Sequence, residues 1–270
     1  MTGPAVPLPP VLLLGGGKMG GAMLAGWRER GLAPSVVVDP AAPLLAGPGV
    51  QVVGSIAELP PDFRPAAIVL AVKPQQADVA VPGLASLVRD AVVLSIMAGT
   101  TTRRISRMLG TGPAVVRAMP NTPASIRRGI TVAFRGPEVN DAQGALCDAL
   151  LASIGEVAWV EDEGLLDAVT AVSGSGPAYV FLLAELLQHA AEEQGIPPAL
   201  ARQMARATVA GSGALLAASP DDAAALRVAV TSPGGTTQAA LGVLMADGAW
   251  PALVSAAVDA ATRRSRALAG

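Results

Sequence analysis

Val11-Leu12-Leu13-Leu14-Gly15-Gly16-Gly17-Lys18-Met19-Gly20 decides the fold. Four apolar residues suited to a buried strand run directly into Gly15-x-Gly17-x-x-Gly20. Lys18 to Arg30 then has helical composition, with Gly31 as its stop. Glycines at this spacing, between a strand and a helix, make a seat for a dinucleotide pyrophosphate. Gly15 allows the tight turn, Gly17 lets backbone approach the phosphates and Gly20 lets helix and strand pack closely. The helix start adds N–H donors and a partial positive charge. Cofactor contacts are therefore expected from Gly15, Gly16, Gly17, Lys18, Met19 and Gly20; the alternative is an empty structural turn.

Outward from this motif, β-branched runs alternate with helical stretches. Val36-Val37-Val38, Ala66 to Val72, Val92 to Met97, Val115-Val116 and Ile130 to Phe134 read as strands. Gln75 to Arg89 and Thr102 to Leu109 read as helices. Such alternation implies an α/β, Rossmann-like parallel sheet with right-handed crossovers. After Glu163 the β-branched runs give way to alanine-rich helical stretches: Tyr179 to Gln194, Pro198 to Ala217, Asp221 to Val230, Gln238 to Met245 and Trp250 to Leu268. The expected domains are a disordered tail over residues 1–10, a dinucleotide-binding domain over 11–162 and an all-α domain over 163–270. Several C-terminal helices are apolar around most of their circumference, more than one amphipathic face requires. A homodimer through these helices is the expected consequence.

Bulk properties exclude several classes. Lys plus Arg total 19 and Asp plus Glu total 21 in 270 residues, a net charge of −2 with no basic cluster, so no nucleic-acid footprint is present. One cysteine, Cys147, rules out an intrachain disulfide, fits a reducing cytoplasm and reads as a packing residue. With that cysteine and the single His189, no Cys/His metal cluster is expected. Mean hydropathy is +0.50, raised largely by alanine. No membrane partner is expected: the longest uncharged run, Ala168 to Ala184, is interrupted by Ser173-Gly174-Ser175-Gly176-Pro177. Met1 to Pro10 has four prolines and no basic start, unlike a signal peptide.

Further candidates sit at strand ends and in loops. Asp39 closes the second strand 19 residues beyond Gly20, where an acid binds the adenosine ribose hydroxyl. With no arginine close by, this favours NADH over NADPH; otherwise Asp39 is a turn residue before Pro40. Ala71-Val72-Lys73-Pro74 ends the third strand, and Lys73 there can meet a phosphate or ribose. Ala98-Gly99 leaves room for nicotinamide after the next strand. In Arg117-Ala118-Met119-Pro120-Asn121-Thr122-Pro123, Pro120 and Asn121 can fix the carboxamide or a substrate, or Asn121 is an Asx-turn residue. Ser232-Pro233-Gly234-Gly235-Thr236-Thr237 precedes a helix, and a glycine loop at a helix start is an anion nest with hydroxyls. It suits a substrate carboxylate, or only caps the helix. Val172 to Tyr179 can cap the following helix or pass near nicotinamide or substrate. No acid–base set presents itself, which suits reduction of an already protonated C=N bond, where positioning does most of the work.

Taken together, Gly15 to Gly20, Ala71 to Pro74, Met119-Pro120-Asn121-Thr122-Pro123, Ser173 to Tyr179 and Ser232 to Thr237 resemble, in order and across most of the chain, the pyrroline-5-carboxylate reductases. The resemblance implies reduction of 1-pyrroline-5-carboxylate to L-proline by NADPH or NADH, a C-terminal dimerisation domain and, in some members, decamers. It also implies a substrate loop completed across the dimer. Ser232, Gly234, Gly235 and Thr236 would then hold the carboxylate, and Thr237 would meet the ring nitrogen as the catalytic group. Two features depart from the family's pattern. Asp39-Pro40 stands where Ser or Asn followed by Arg is common and suits NADP. Leu226-Arg227-Val228 lacks the acid usual before the substrate loop. A reductase of another imine or a hydroxy acid, and a non-catalytic dinucleotide sensor, are the rival readings.

Overall fold

The computed structural model describes residues 7–110 and 112–269. In chain order, β1 (Val11–Leu14) leads into α1 (Lys18–Glu29), followed by β2 (Ser35–Val38), β3 (Val50–Val53) and β4 (Ala67–Leu70). Next come α2 (Ala77–Ala80), β5 (Val92–Ser95), α3 (Thr102–Leu109), β6 (Val115–Met119) and β7 (Gly129–Arg135). The sheet region closes with α4 (Asp141–Leu151) and β8 (Gly155–Val160), and α5 (Leu165–Val169) follows. The sheet order is β3-β2-β1-β4-β5-β6-β7-β8. Leu13 aligns with Val37 on one side and Val69 on the other, so β1 lies at the point where strand order reverses. In such sheets ligands bind at the carboxyl ends of the strands beside that point.

β1, β2, β4 and β5 are buried along their whole length, as strands covered on both faces must be. Alternate residues feed two cores. Leu13, Val37, Val69 and Leu94 pack under Met23, Leu24 and Trp27 of α1 and Leu150 and Leu151 of α4. Leu12, Val36, Ile68 and Val93 pack under Ala77, Leu84, Ile105 and Leu109. Trp27 Nε1 donates to the Leu150 carbonyl at 2.9 Å, tying α1 to α4 inside the first core. Cys147 lies fully buried there, and burial pushes its thiol up to about 12, so it packs and does not react.

Several sequence expectations are corrected. The sheet is not uniformly parallel: β7 runs antiparallel to β6, and β8 follows β7. Residues 120–128 are too short for a parallel crossover, which needs about a dozen or more. They instead reverse through a 3₁₀ turn, Thr122–Ile126, that ends on left-handed Arg127 (φ 61°). The expected helix Gln75 to Arg89 is broken into α2 and two 3₁₀ turns, Pro74–Gln76 and Pro82–Leu84, because proline supplies no N–H to continue a helix. β3 and β8 were not foreseen, being short or partly exposed. The expected disordered tail does not reach residue 10: Leu8 is buried, its carbonyl accepts from Ala33 N–H, and the Pro10 carbonyl accepts from Ala66 N–H. Residues 1–6 of that tail lie outside the described residues.

The chain divides into two compact units, one running to Gly174 and taking in residues from Ala261, the other Ser175–Ala260, where a boundary at 163 was expected. The Ser173–Pro177 run does not interrupt helix. α5 passes into a π-helical segment, Thr170–Gly174, and then into α6 (Gly176–Glu193), whose first turn accommodates Pro177. Leu165–Glu193, with mean hydropathy 1.3, is therefore long and apolar enough by length and composition alone to cross a membrane.

The second unit holds α6, α7 (Pro198–Ala218), α8 (Ala223–Ala229), α9 (Thr236–Leu244) and the start of α10 (Trp250–Ala269). α6 packs on α7. Ala201 and Ala205 are the buried residues of α7, and α6, α8 and α9 bury none. Phe181 is 67% exposed and Val243 73%.

Glu163 anchors the first unit beyond the sheet. Its carboxylate accepts from Thr102 N (2.8 Å), Thr102 Oγ1 (2.8 Å) and Arg117 Nη1 (3.2 Å). The Arg117 side chain is 6% exposed, so loss of Glu163 strands a buried cation. Glu163→Ala is expected to lower stability by about 3 kcal/mol in urea denaturation; a change below about 0.5 kcal/mol would show that the pair contributes nothing.

Candidate functional site

The glycine turn is built by steric necessity. Gly15 sits at φ +101°, its N–H donates to the Val38 carbonyl at 3.0 Å, and a Cβ there would lie 2.7 Å from the Ala71 carbonyl carbon. A Cβ on Gly20 would overlap the Gly15 carbonyl oxygen. Backbone thus packs on backbone where β1, α1 and the end of β4 meet. Gly17 differs: it is exposed, and a Cβ there would meet nothing within 4 Å. The turn therefore opens outward at Gly17. α1 starts there with no side-chain cap and no acid in its first turn. The N–H groups of Lys18, Met19 and Gly20 have no partner within the helix. Open space, uncapped donors and the positive end of a dipole fit a pyrophosphate.

Parallel topology brings the other predicted segments to the same sheet edge. Ala71-Val72-Lys73-Pro74, Ala98-Gly99 and Pro120-Asn121 follow β4, β5 and β6, which succeed one another on the β4 side of β1. A crevice of about 620 Å³ opens at the ends of β1 to β4, lined by Leu14, Gly15, Asp39, Ser55, Val72 and Gln76 among others; of the predicted cofactor residues it brings together Gly15, Asp39 and Val72, and Ala98, Gly99, Pro120 and Asn121 do not line it. Asp39 does two things at once. Its Oδ2 accepts from Gly16 N at 2.7 Å, and its Oδ1 accepts from Ala41 N at 2.8 Å. It is both the turn residue before Pro40 and a group presented to the crevice. Lys73 is exposed beyond the crevice wall, and Gly99 takes a left-handed φ of 67°. Asn121 Oδ1 accepts from Ile130 N at 3.0 Å, so the side chain holds the β6–β7 reversal and keeps its amide N–H groups for another partner.

A second cavity, about 660 Å³, lies by α4, β7 and β8 and holds none of the predicted residues. Arg135 there pairs with Asp141, and Trp159 Nε1 donates to Asp148.

The Ser232–Thr237 loop opens α9. Gly234 is left-handed (φ 69°), and Gly235 N–H donates to the Ser232 carbonyl at 3.0 Å. Gly234 N–H donates to Gln238 Oε1 at 2.5 Å. These two amides hold the loop's own shape. α9 begins at Gly235 without a side-chain cap. Its first-turn N–H groups, on Thr236, Thr237 and Gln238, have no partner within the helix and stand beside the Ser232 and Thr236 hydroxyls, a donor set that suits an anion. Sequence reasoning missed Gln238; its place three residues after the helix start, the capping-box spacing, could have found it. Arg227, at the departure from the family's pattern, meets Met245 Sδ at 2.8 Å.

Residues 163–268 match the family described as pyrroline-5-carboxylate reductase dimerisation. Residues 10–99 match NADP oxidoreductase, coenzyme F420-dependent. The chain is 37% identical to a Pseudomonas aeruginosa pyrroline-5-carboxylate reductase, over 97% of each protein. It belongs to the pyrroline-5-carboxylate reductase family. Among solved structures, the family member from Coxiella burnetii superposes with a TM-score of 0.88 at 33% identity, covering 96% of this chain and 98% of that one. The Plasmodium falciparum pyrroline carboxylate reductase, solved with NADP bound, gives 0.83 at 26% identity, over 97% and 98%. Family membership brings a Rossmann-like domain and a helical dimerisation domain, as the motifs implied.

The glycines make separable predictions. Gly17→Ala should fold with unchanged Tm yet bind reduced coenzyme at least about tenfold more weakly, because the methyl enters the phosphate's space. Gly20→Ala should lose both, because its methyl meets backbone. Thermal denaturation and coenzyme titration of the two proteins check this; equal behaviour would refute the assigned roles.

Proposed function

We propose that the chain reduces 1-pyrroline-5-carboxylate to L-proline, the last step of proline biosynthesis, with a reduced nicotinamide dinucleotide held at the glycine turn. The observation that carries this is the Ser232–Thr237 loop, shaped by its own amides and opening onto the uncapped start of α9 in a chain of this family. The coenzyme, when bound, supplies the hydride that the ring C=N carbon receives, and the ring nitrogen keeps or gains one proton.

The chain's residues bind and orient. The Ser232 hydroxyl and the N–H groups of Thr236 and Thr237 hold the substrate carboxylate. Gly234 and Gly235 serve by conformation, since their own N–H groups are already engaged. Half-buried Thr237 presents its hydroxyl to the ring nitrogen, directly or through water. Pro120 and Asn121 lie at the carboxamide end of the coenzyme, with Ala98 and Gly99 leaving room for the nicotinamide.

The second unit is assigned to a homodimer, with five dimers joining where the decamer forms. The apolar stretch Leu165–Glu193 belongs to that interface and not to a bilayer, and the enzyme works in the cytoplasm without nucleic acid. Each Leu or Phe moved out of water contributes roughly 1.5–3 kcal/mol, which gives so open a helical unit its reason to pair.

Steady-state assays should show Thr237→Ala lowering kcat/KM by about 10²-fold at unchanged Tm, the scale of one lost donor to developing charge. Ser232→Ala should mainly raise the substrate KM. An unchanged rate removes Thr237 from the mechanism. Sedimentation at low concentration should find dimers or larger; a dilute, folded monomer removes the interface assignment.

A further inference from the structure

We propose that the coenzyme crevice selects NADH: Asp39 takes the adenosine ribose hydroxyls, and Asp39 together with Glu58 repels the 2′-phosphate of NADPH. This rests on the coenzyme reading of the glycine turn and is independent of the substrate.

Asp39 is the one charged side chain among the residues lining the crevice. Its carboxylate is fixed by two backbone donors, Gly16 N and Ala41 N. Each carboxylate oxygen has capacity for another hydrogen bond. A ribose diol brings two O–H donors to such a group. A 2′-phosphate brings charge and acceptor oxygens, and NADP sites answer it with an arginine.

A second carboxylate, Glu58, is bonded to the opposite wall without itself lining the crevice. Gly54 and Ser55, after β3, line the crevice, and both donate to Glu58: Gly54 N at 3.1 Å and Ser55 Oγ at 2.8 Å. The Ser55 hydroxyl hydrogen is thereby committed to Glu58 instead of a phosphate. The Ser55 hydroxyl, and after it the Gly54 N–H, hold the Glu58 carboxyl below the usual carboxylate range, so it is charged at neutral pH. Arg28 is not among the lining groups, and its guanidinium is turned to the Leu45 carbonyl, to which it donates at 2.5 Å. Gln75 and Gln76 are the remaining polar side chains of the wall, and both are neutral. A 2′-phosphate would therefore enter beside the Asp39 carboxylate, with the Glu58 charge bonded behind Gly54 and Ser55 and no cation among the described lining residues.

The test is binding, measured by calorimetry on the full chain without pyrroline carboxylate, so that it does not depend on turnover. NADH should bind at least about tenfold more tightly than NADPH at low ionic strength, as like charges a few ångströms apart require. 5′-AMP should likewise outbind 2′,5′-ADP. The gap should shrink as added salt shortens the Debye length toward a few ångströms. Asp39→Asn and Glu58→Gln should each narrow it, by strengthening NADPH binding. Equal or tighter NADPH binding by the wild-type protein overturns the proposal even if a variant fails to fold, and so does a gap that neither salt nor the folded variants move. A protein that binds neither coenzyme overturns it together with the dinucleotide site. NADH-selective binding with no conversion of pyrroline carboxylate upholds it and removes only the substrate reading.

Discussion

Backbone packed against backbone at the β1–α1 turn is the constraint on which the rest depends. Gly15 lies on the carbonyl of Ala71, and Gly20 lies on the carbonyl of Gly15. No side chain fits at either contact, so α1 can be brought this close to the sheet only through glycine. That closeness aims the helix start along the carboxyl edge of the strands, which turns a folding solution into an anion seat. Asp39 is locked to the same turn through Gly16 N, so the acid proposed to meet the ribose is positioned by the loop proposed to seat the phosphates.

Helix starts in this chain fall into contrasting kinds. α3, α4 and α8 are capped by their own side chains: Thr101 accepts from Arg104 N, Asn140 and Gln143 form a reciprocal capping box, and Asp222 accepts from Ala225 N. α1 and α9 begin at glycine with no side-chain cap. α5 also begins at a glycine, Gly164, and lacks a side-chain cap, as do α2, α6 and α7; what sets α1 and α9 apart is the glycine loop that leads into each, and a cap is worth about 1 kcal/mol. The first seat faces the space beside Gly17. The second is shaped by Gln238, which removes one amide from the nest and so defines which donors are left.

The two units solve burial differently. The sheet unit encloses two cores, with strands apolar on both faces and helices on each side. The helical unit has almost no interior among the described residues: its longest helices leave Phe181, Leu182, Leu215 and Leu253 each at least 51% exposed. That surface is suited to another protein surface, in keeping with the dimerisation domain this region matches. The same apolarity makes Leu165–Glu193 resemble a membrane span by composition, because hydrophobic length alone does not distinguish a subunit interface from lipid.

Local chemistry was legible in the residues themselves. The glycine spacing, the acid after the second strand, the helical texture beyond Glu163 and the Ser232–Thr237 loop each declare a conformation through propensity, periodicity or missing side chains, properties that act over a few residues. What depended on distant partners was not legible. The reversal of β7 and β8, the pairing of Glu163 with Thr102 and Arg117, the hold of Asn121 on Ile130 and the seating of Leu8 were settled only when separate segments met. Sequence by itself determined where backbone must bend and which stretches must leave water; tertiary structure decided which charges face one another, because electrostatic partners are chosen by proximity in space and not by spacing along the chain.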